Sequence, residues 1–313
     1  MLGRGGRLMA GSNKDLRFVC VNISAKDRAD SERLQRALSE IAVRDLRISV
    51  TSHPSGEFHS VEGESTSHLE SICKRLRNQY LAINIDGPRP VFLETFRESC
   101  ESEGKYIRQV GGSGNYGHCR LYIEPGERGE GYLFTSLLPG DVLQDQYVRS
   151  IDRGVQIAMR SGGLYGYPIV DLKVTLIHAS YHAEDSNPTA FEIAGSNAFL
   201  SAAKKSSPVL LEPVVRFEIE GSGWFMEEIK QEVTRRHGRI EEISMNEFAA
   251  TLPLSELLVT SFRELGAFTM KLVGYEPVRS DGPSDEDASG VTAKKPNSPR
   301  PRSRFEAVQP EEE

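Results

Sequence analysis

Two histidines and a carboxylate in the segment HASYHAEDS are residue types that could bind a metal. His178 and His182 are four residues apart, and Asp185 follows closely. That spacing brings two imidazoles to one face only on a helix, whereas the alternation before His178 indicates a strand and His182 lies in the loop beyond it. Because no third strong ligand stands at a known spacing, we predict a solvated loop and no metal site.

A second candidate is the glycine-rich stretch GGSGNYGH at residues 111–118, which could be a phosphate-binding loop. Such a loop joins a strand to a helix N-terminus, whose free N–H groups face the anion. Here the following residues, HCRLYIEP, alternate as a strand and end at Pro125. The sequence therefore predicts the tip of a long hairpin, in which glycine permits a positive φ, and the chain contains no GxxxxGK[ST] motif.

Arginines are densest in the stretch RRHGR, where Arg235, Arg236 and Arg239 surround the end of a predicted helix. Cations at a helix C-terminus favourably oppose its dipole, so a structural role explains this cluster as well as contact with RNA phosphates does. The 313 residues carry a formal charge of -7, so any contact with nucleic acid must come from a local basic patch. Both roles stay open on the sequence alone.

The elements that must position these residues begin with a small domain at residues 15–90. Its pattern gives the order strand, helix, strand, strand, helix, strand, which is the split-βαβ order of ferredoxin-like domains. The second helix, STSHLESICKRLRNQ, has one apolar face, and Ser67 with Glu70 has the spacing of a capping box. The turn residues DGPRP indicate the end of this domain.

Residues 213–278 repeat the same order of elements, with Gly238 and Gly266 at positions where helix C-caps favour glycine. Between the two repeats, residues 91–212 contain strands and two long helices, which predicts a larger α/β domain.

The two ends of the chain differ in composition from these domains. We expect residues 1–14 to be flexible and residues 279–313, rich in Ser, Pro, Lys, Arg and Glu, to be a disordered tail. From the same composition we expect neither a signal peptide nor a stretch apolar enough to span a bilayer. Four scattered cysteines fit a reducing compartment, so we expect a cytoplasmic protein without membrane contact.

Several segments, in this order and spacing, closely resemble the C-terminal half of bacterial translation elongation factor G. GKYIRQVGGSGNYGHC, SGGLYGYPIVDLKVTL, HASYHAEDS and KKSSPVLLEPV are similar to its fourth domain. AKDRADSERLQRALSEIAVRDLRISV resembles its third domain, and EVTRRHGRIEEIS with FTMKLVGYEPV resembles its fifth. The resemblance extends from about Asp15 to Val278.

The resemblance implies an α+β fold, in which two ferredoxin-like split-βαβ domains flank a ribosomal-protein-S5-like α/β domain with a left-handed βαβ unit. In the family, the middle domain is a tRNA-like arm whose tip loops enter the decoding region of the small ribosomal subunit. By the same match, contacts with rRNA or with mRNA and tRNA are implied for Gln109, Gly112, Ser113, Gly114, Asn115, Tyr116, Ser180, Tyr181 and His182. Aromatic and imidazole rings of this kind can stack on unpaired bases, and we expect no catalytic residue.

The sequence also departs from the family. The third-domain pattern begins almost at the N-terminus, so we expect the GTPase domain of the family to be missing. Without a phosphate loop and its lysine, we expect no GTP hydrolysis and no bound cofactor, although the full-length family uses GTP and Mg²⁺. Ser113 stands where many family members carry arginine, which removes a positive charge from the first tip loop.

Three functions therefore stay open. The leading hypothesis is a ribosome-binding elongation-factor-like protein without its own GTPase, which contacts rRNA in the decoding region, with the large-subunit factor site as a further candidate. The second is the C-terminal half of a split GTPase that needs a separate nucleotide-binding chain, which predicts an exposed apolar patch on residues 15–90. The third is a degenerate paralogue that serves as an RNA or protein interaction module.

Overall fold

The computed structural model describes residues 17–53, 55–78, 82–110, 113–140, 142–221, 224–258 and 270–278. The described residues form two compact units. The central unit is Leu93–Leu210, and the flanking unit combines residues 17–92 with Leu211–Pro277. The predicted flexible N-terminus and disordered tail lie outside the described residues. No helix in the described part of the chain is both long and apolar enough to cross a membrane.

The first sheet of the flanking unit is antiparallel, with the strand order β2-β3-β1-β4. Its elements are β1 (Val19–Ala25), α1 (Arg28–Arg44), β2 (Ser49–Ser52), β3 (His59–Gly63), α2 (Thr66–Asn78) and β4 (Ile83–Pro90). Alternate residues of β1 from Val19 to Ile23 are buried, and the predicted apolar stripes of both helices belong to the same buried cluster. This is the ferredoxin-like order that the sequence predicts.

The central unit has a four-stranded sheet in the order β6-β7-β9-β8. The elements of the central unit are β5 (Leu93–Phe96), β6 (Cys100–Val110), β7 (Ser113–Pro125), β8 (Tyr132–Ser136), α3 (Asp145–Ser161), β9 (Leu172–Ser180) and α4 (Pro188–Ala203). Strands β8 and β9 are parallel and are connected through α3, which forms a βαβ unit. Sequence reasoning identified β6, β7, β9 and both helices but missed the five-residue strand β8, because its short run YLFTS has weak periodicity.

Close contacts between backbones hold the central unit together around α4. A Cβ added to Gly154 of α3 would lie 1.9 Å from the carbonyl oxygen of Glu192, and one added to Gly104 of β6 would lie 2.0 Å from that of Ala194. Real Cβ atoms do not approach so closely, so only glycine fits at either position. The buried side chains of α4, including Phe191 and Phe199, fill the space around these contacts.

The second sheet of the flanking unit repeats the first in the order β11-β12-β10-β13. Its elements are β10 (Pro208–Glu220), α5 (Trp224–Arg235), β11 (Arg239–Ser244), β12 (Glu247–Pro253), α6 (Leu254–Leu258) and β13 (Met270–Pro277). One cluster of buried side chains includes residues of both sheets. The predicted fold class, α+β with two ferredoxin-like arrangements and an α/β domain, is confirmed.

Two local predictions about helix ends are wrong in detail. The cap of α2 is Ser65, whose Oγ accepts a hydrogen bond from the backbone N–H of His68 at 3.2 Å, so the predicted Ser67 and Glu70 box lies two residues too late. After α5 the left-handed conformation is adopted by His237, with φ of 58°, and not by Gly238. The DGPRP turn residues belong to β4, and Gly266 lies outside the described residues.

We predict that Gly154→Ala destabilises the central unit by about 1–3 kcal/mol, the usual cost of overpacking, although alanine is the better helix former. The new methyl group would have to push α4 away from α3. Urea unfolding followed by circular dichroism would measure the change. Gly140→Ala is the matched control, since a Cβ there meets no atom within 4 Å; equal stability of the two variants would contradict the prediction.

Candidate nucleic-acid interface

The two predicted loops form a single surface, which we call the tip: residues 114–116 at the start of β7 and residues 180–187 between β9 and α4. The backbone N–H of Tyr116 donates to the carbonyl oxygen of Asp185 at 2.8 Å. In return, the Ser186 hydroxyl donates to the carbonyl oxygen of Tyr116 at 3.1 Å. Backbone and side-chain hydrogen bonds therefore fix the two loops in one conformation.

Asn187 connects the tip to the start of α4. Its Oδ1 accepts from the backbone N–H of Ala190 at 2.9 Å, which caps the helix, and Pro188 follows as the first helical residue. Its Nδ2 donates to Oδ1 of Asn115 at 2.8 Å. One side-chain amide thus links the helix to the β7 side of the tip, and the amide oxygen of Asn115 points inward to this bond.

Tyr181 and His182 are the predicted contact residues that the tip leaves exposed. The side chain of His182 is 55% exposed, and its Nδ1 lies 3.1 Å from Oδ2 of Asp185. Tyr181 is 44% exposed, and its ring lies 5.7 Å from that of Tyr147. The His182 ring also lies 6.1 Å from the ring of Tyr116. Neighbouring groups therefore hold both exposed rings in place.

The glycines of the tip serve close packing, and the prediction of a positive φ is not met at Gly114 or Gly117. A Cβ on Gly114 would lie 2.2 Å from Oδ1 of Asp185, and one on Gly117 would lie 2.3 Å from the carbonyl oxygen of Ala190. Residues 112–117 have GxGxxG spacing in sequence, but β7 is a strand paired with β6, and no helix follows the glycines. That context excludes the dinucleotide-binding loop.

Of the remaining predicted contact residues, three fall outside the described residues or side chains, and the fourth, Ser180, bonds to another residue of the tip. Gly112 lies outside the described residues, and the side chains of Gln109 and Ser113 are not described. Ser180 lies at the end of β9, where its hydroxyl is 2.7 Å from that of Tyr116. Contacts with RNA by all of these residues stay predictions.

Sequence reasoning missed several residues that build this surface. Asp185, Ser186 and Asn187 hold the loops together, but their partners lie about seventy residues away in sequence and no local pattern indicates them. Arg108 is exposed and stands opposite Asn115 in the β6–β7 register. The alternation of residues along the predicted strand β6 could have identified Arg108 as a cation beside the tip.

The two histidines that could bind a metal contact different groups in the structure. His178 lies on β9 with its ring 5.6 Å from that of His118, whereas His182 pairs with Asp185 in the tip. Among the described residues, no group of three His, Cys, Asp or Glu side chains is arranged to hold a metal ion.

The arginine cluster lies in the flanking unit and is largely paired. Arg236 is 9% exposed and bonds to Glu232 at 2.6 Å and to Glu256 at 2.9 Å, so it has a structural role at the end of α5. Arg235 also bonds to Glu232, at 2.6 Å, but is 68% exposed. Arg239 is exposed. The predicted rRNA contact is therefore best retained for Arg235 and Arg239.

Comparison with known proteins finds a protein family and a solved structure to which this chain is similar. Residues 91–207 match the family described as elongation factor G, domain IV. A crystal structure of a protein from Thermus thermophilus is similar over 84% of this chain, with 29% sequence identity and a TM-score of 0.68. The match covers 41% of that protein, so this chain spans less than half of its length.

We predict that Asn187→Ala destabilises the central unit by about 1 kcal/mol or more, because α4 loses its cap and Asn115 loses its partner. Asn187→Asp separates the two effects, since a carboxylate still caps the helix but cannot donate to Asn115. Hydrogen exchange at the amide of Ala190 should therefore accelerate in the alanine variant and stay slow in the aspartate variant. Equal exchange in both would contradict the assigned cap.

The arginine pair predicts a pH dependence of stability. Hydrogen bonds from Arg235 and then Arg236 lower the pKa of Glu232 to about 2. The folded pKa of Glu232 lies below the ordinary glutamate value of about 4.3. The ion pairs of Glu232 therefore stabilise the fold fully above about pH 4.3, and this stabilisation is lost as the pH falls through about 2. Glu232→Gln should lower the urea midpoint at pH 7 and reduce its fall between pH 5 and pH 2.

The matched control is Glu228→Gln, an exposed glutamate on the same helix. Its urea midpoint should follow that of the unmodified protein at every pH. If the two variants show the same pH profile, the Glu232 ion pairs do not stabilise the folded state.

Proposed function

Because residues 91–207 match elongation factor G domain IV and the chain resembles the C-terminal half of that factor over most of its length, we propose that this protein binds the ribosome. The tip of the central unit is the proposed contact with RNA of the small-subunit decoding region. The proposal includes binding without nucleotide, since the 313 residues contain no phosphate-binding loop. The protein would act in translation elongation as a cytoplasmic factor.

The observation that carries this proposal is the construction of the tip. Recognition of unpaired RNA needs aromatic or imidazole rings held in place, because ordering them on binding would cost side-chain entropy. The hydrogen bonds around Asp185 and Asn187 fix the backbone beneath His182 and Tyr181 before any ligand arrives. A preorganised surface with two exposed rings suits stacking on bases.

The chemistry of the tip favours binding over catalysis. The His182 imidazole has a carboxylate partner, Asp185, but both side chains are more than a third exposed, so water has access to the pair. General acid–base groups in enzymes usually lie in clefts that exclude water. The nearby hydroxyls of Ser180 and Ser186, which could otherwise act as nucleophiles, are bonded to other groups of the tip.

Among the described residues, few cations lie beside the tip, so we expect a small electrostatic contribution to RNA binding. Arg108 is exposed, while Lys105 bonds to Glu103 at 2.8 Å. Two or so phosphate contacts would give a log–log salt slope of roughly -2. We therefore expect that stacking and shape supply much of the affinity and that binding survives moderate salt.

Co-sedimentation of the purified protein with whole ribosomes across a salt series tests the proposal. We predict nucleotide-independent binding that His182→Ala weakens about 5–150-fold, because removing a stacked ring typically costs about 1–3 kcal/mol. Tyr181→Ala should have an effect of similar size. Asn115→Ala is unsuitable as a contact test, because it also disturbs Asn187.

Tyr165→Ala is the matched control, since Tyr165 is 43% exposed in another loop of the central unit, compared with 44% for Tyr181. It should bind as tightly as the unmodified protein. Equal losses in the control and in the tip variants would show that the tip is not the contact. Equal affinity for ribosomes and for an unrelated structured RNA would favour a general RNA-binding module instead.

A second candidate function is the half of a split GTPase, and one observation favours it. Val43 and Leu46, at the end of α1 and in the turn beyond it, are 81% and 82% exposed, although both are apolar. They lie on the third-domain-like part, where that hypothesis predicts an apolar patch. Ribosome binding that requires a separate nucleotide-binding chain, and that fails with the double variant Val43→Ser and Leu46→Ser, would support it.

A further inference from the structure

Four polar side chains form a hydrogen-bonded chain that ends at Tyr116, a partly exposed residue of the tip. Nε2 of His118 lies 2.7 Å from Oε1 of Glu103, and Nδ1 of the same ring lies 2.6 Å from the Ser180 hydroxyl. The Ser180 hydroxyl lies 2.7 Å from the hydroxyl of Tyr116, one of the predicted RNA contacts. We call Glu103, His118, Ser180 and Tyr116 the relay.

One end of the relay fixes the direction of its hydrogen bonds. Hydrogen bonds from Lys105 and then from His118 lower the pKa of the Glu103 carboxyl, so it is ionised at neutral pH. A carboxylate can only accept, and therefore Nε2 of His118 must carry a proton. In the neutral imidazole the other nitrogen, Nδ1, is then an acceptor.

The remaining bonds follow from this first one. Nδ1 of His118 accepts from the hydroxyl of Ser180, and the Ser180 oxygen, having used its proton, accepts from the hydroxyl of Tyr116. The proton of Tyr116 is thereby directed inward, and the phenol oxygen is left with only lone pairs for a ligand. At 9% exposure, His118 is shielded from water that could satisfy its nitrogens otherwise.

We propose that Glu103, His118 and Ser180 are positioning residues that fix the Tyr116 hydroxyl as a hydrogen-bond acceptor, so that it selects a donor on RNA, a ribose 2′-hydroxyl or a base amino group. This inference rests on the proposed ribosome binding and adds a specificity element to it. Tyr116 recognises the donor directly, whereas the other three residues act through Tyr116.

The opposite polarity would give the opposite specificity. If Nδ1 of His118 carried a proton, Ser180 would accept from it and donate to Tyr116, whose own proton would then point to the ligand. The charged groups that face this network are Glu103 and Lys105 on β6, His178 on β9 and the His182–Asp185 pair in the tip. None of the other groups bonds to His118, so Glu103 decides the polarity.

Nitrogen-15 NMR of the histidine side chains in the free protein at pH 8 tests the relay without any ribosome. His118→Gln assigns the signal. We expect a protonated, pyrrole-type Nε2 and an unprotonated, pyridine-type Nδ1. A protonated Nδ1, in either the neutral or the charged ring, would overturn the proposal, whatever the protein binds.

Ribosome affinity then tests the effect on recognition through a double-mutant cycle. Tyr116→Phe and Ser180→Ala should each weaken binding about 5-fold, and the double variant should be no weaker than either alone, because both remove the same oriented hydroxyl. Ser161→Ala, an exposed serine on α3 that bonds only to its own helix, is the control. Additive losses would overturn the proposal, because they would mean that Ser180 does not act through Tyr116.

The same assay can distinguish whether a ribose 2′-hydroxyl of the codon or another group of the RNA donates to Tyr116. On ribosomes whose exposed codon carries 2′-deoxyribose, the coupling between Tyr116 and Ser180 disappears if the donor is a ribose hydroxyl of that codon. It persists if the donor is a base amino group or a ribose hydroxyl of the rRNA. A free protein with the expected NMR signals but no ribosome affinity would refute the proposed function and leave the orientation of the relay intact.

Discussion

The central unit depends on how closely other backbones approach α4. Glycines stand at the points of contact on the hairpin, Gly104 and Gly117, and on the neighbouring helix, Gly154. Each position has a carbonyl oxygen of α4 where any side chain would have to be. Because these contacts join backbone to backbone, they fix the hairpin against the helix more rigidly than side chains with alternative rotamers could.

This rigidity reaches the tip through Asn187. The same amide caps α4 and bonds to Asn115, so the start of the helix and the end of the hairpin are positioned together. A cap normally stabilises a helix alone, and here its second bond transmits the position of the helix to the loop. The tip is therefore an extension of the folded core, although it consists of loop residues.

Periodicity predicted most of the fold because both ferredoxin-like repeats and the long helices have strong apolar patterns. Leu34 and Leu38 on α1, and Leu69 and Leu76 on α2, are buried as their spacing indicates. The errors arose where local chemistry offered equivalent choices, since Ser65 and Ser67 are both good caps. The strand β8 was missed because a run of five residues has weak periodicity, and its pairing with β9 leaves no local pattern.

The candidate site was predictable in part for a different reason. The resemblance to a family located the two loops, but it could not show that Asp185 and Ser186 bond to Tyr116, because those contacts exist only in the folded chain. Similarly, glycines that suggested positive φ values serve close packing instead. Sequence patterns report backbone preference well, whereas interatomic space is a property of the assembled structure.

The proposed contact with RNA is confined to a small area, because the chain has a formal charge of -7. The tip provides such an area, since its rings and oriented hydroxyl do not depend on net charge. The ion pairs nearby, Lys105 with Glu103 and His182 with Asp185, reduce the free positive charge there. Low charge weakens non-specific attachment to phosphates more than it weakens stacking or directed hydrogen bonds, so this construction favours selectivity for one RNA site over general affinity.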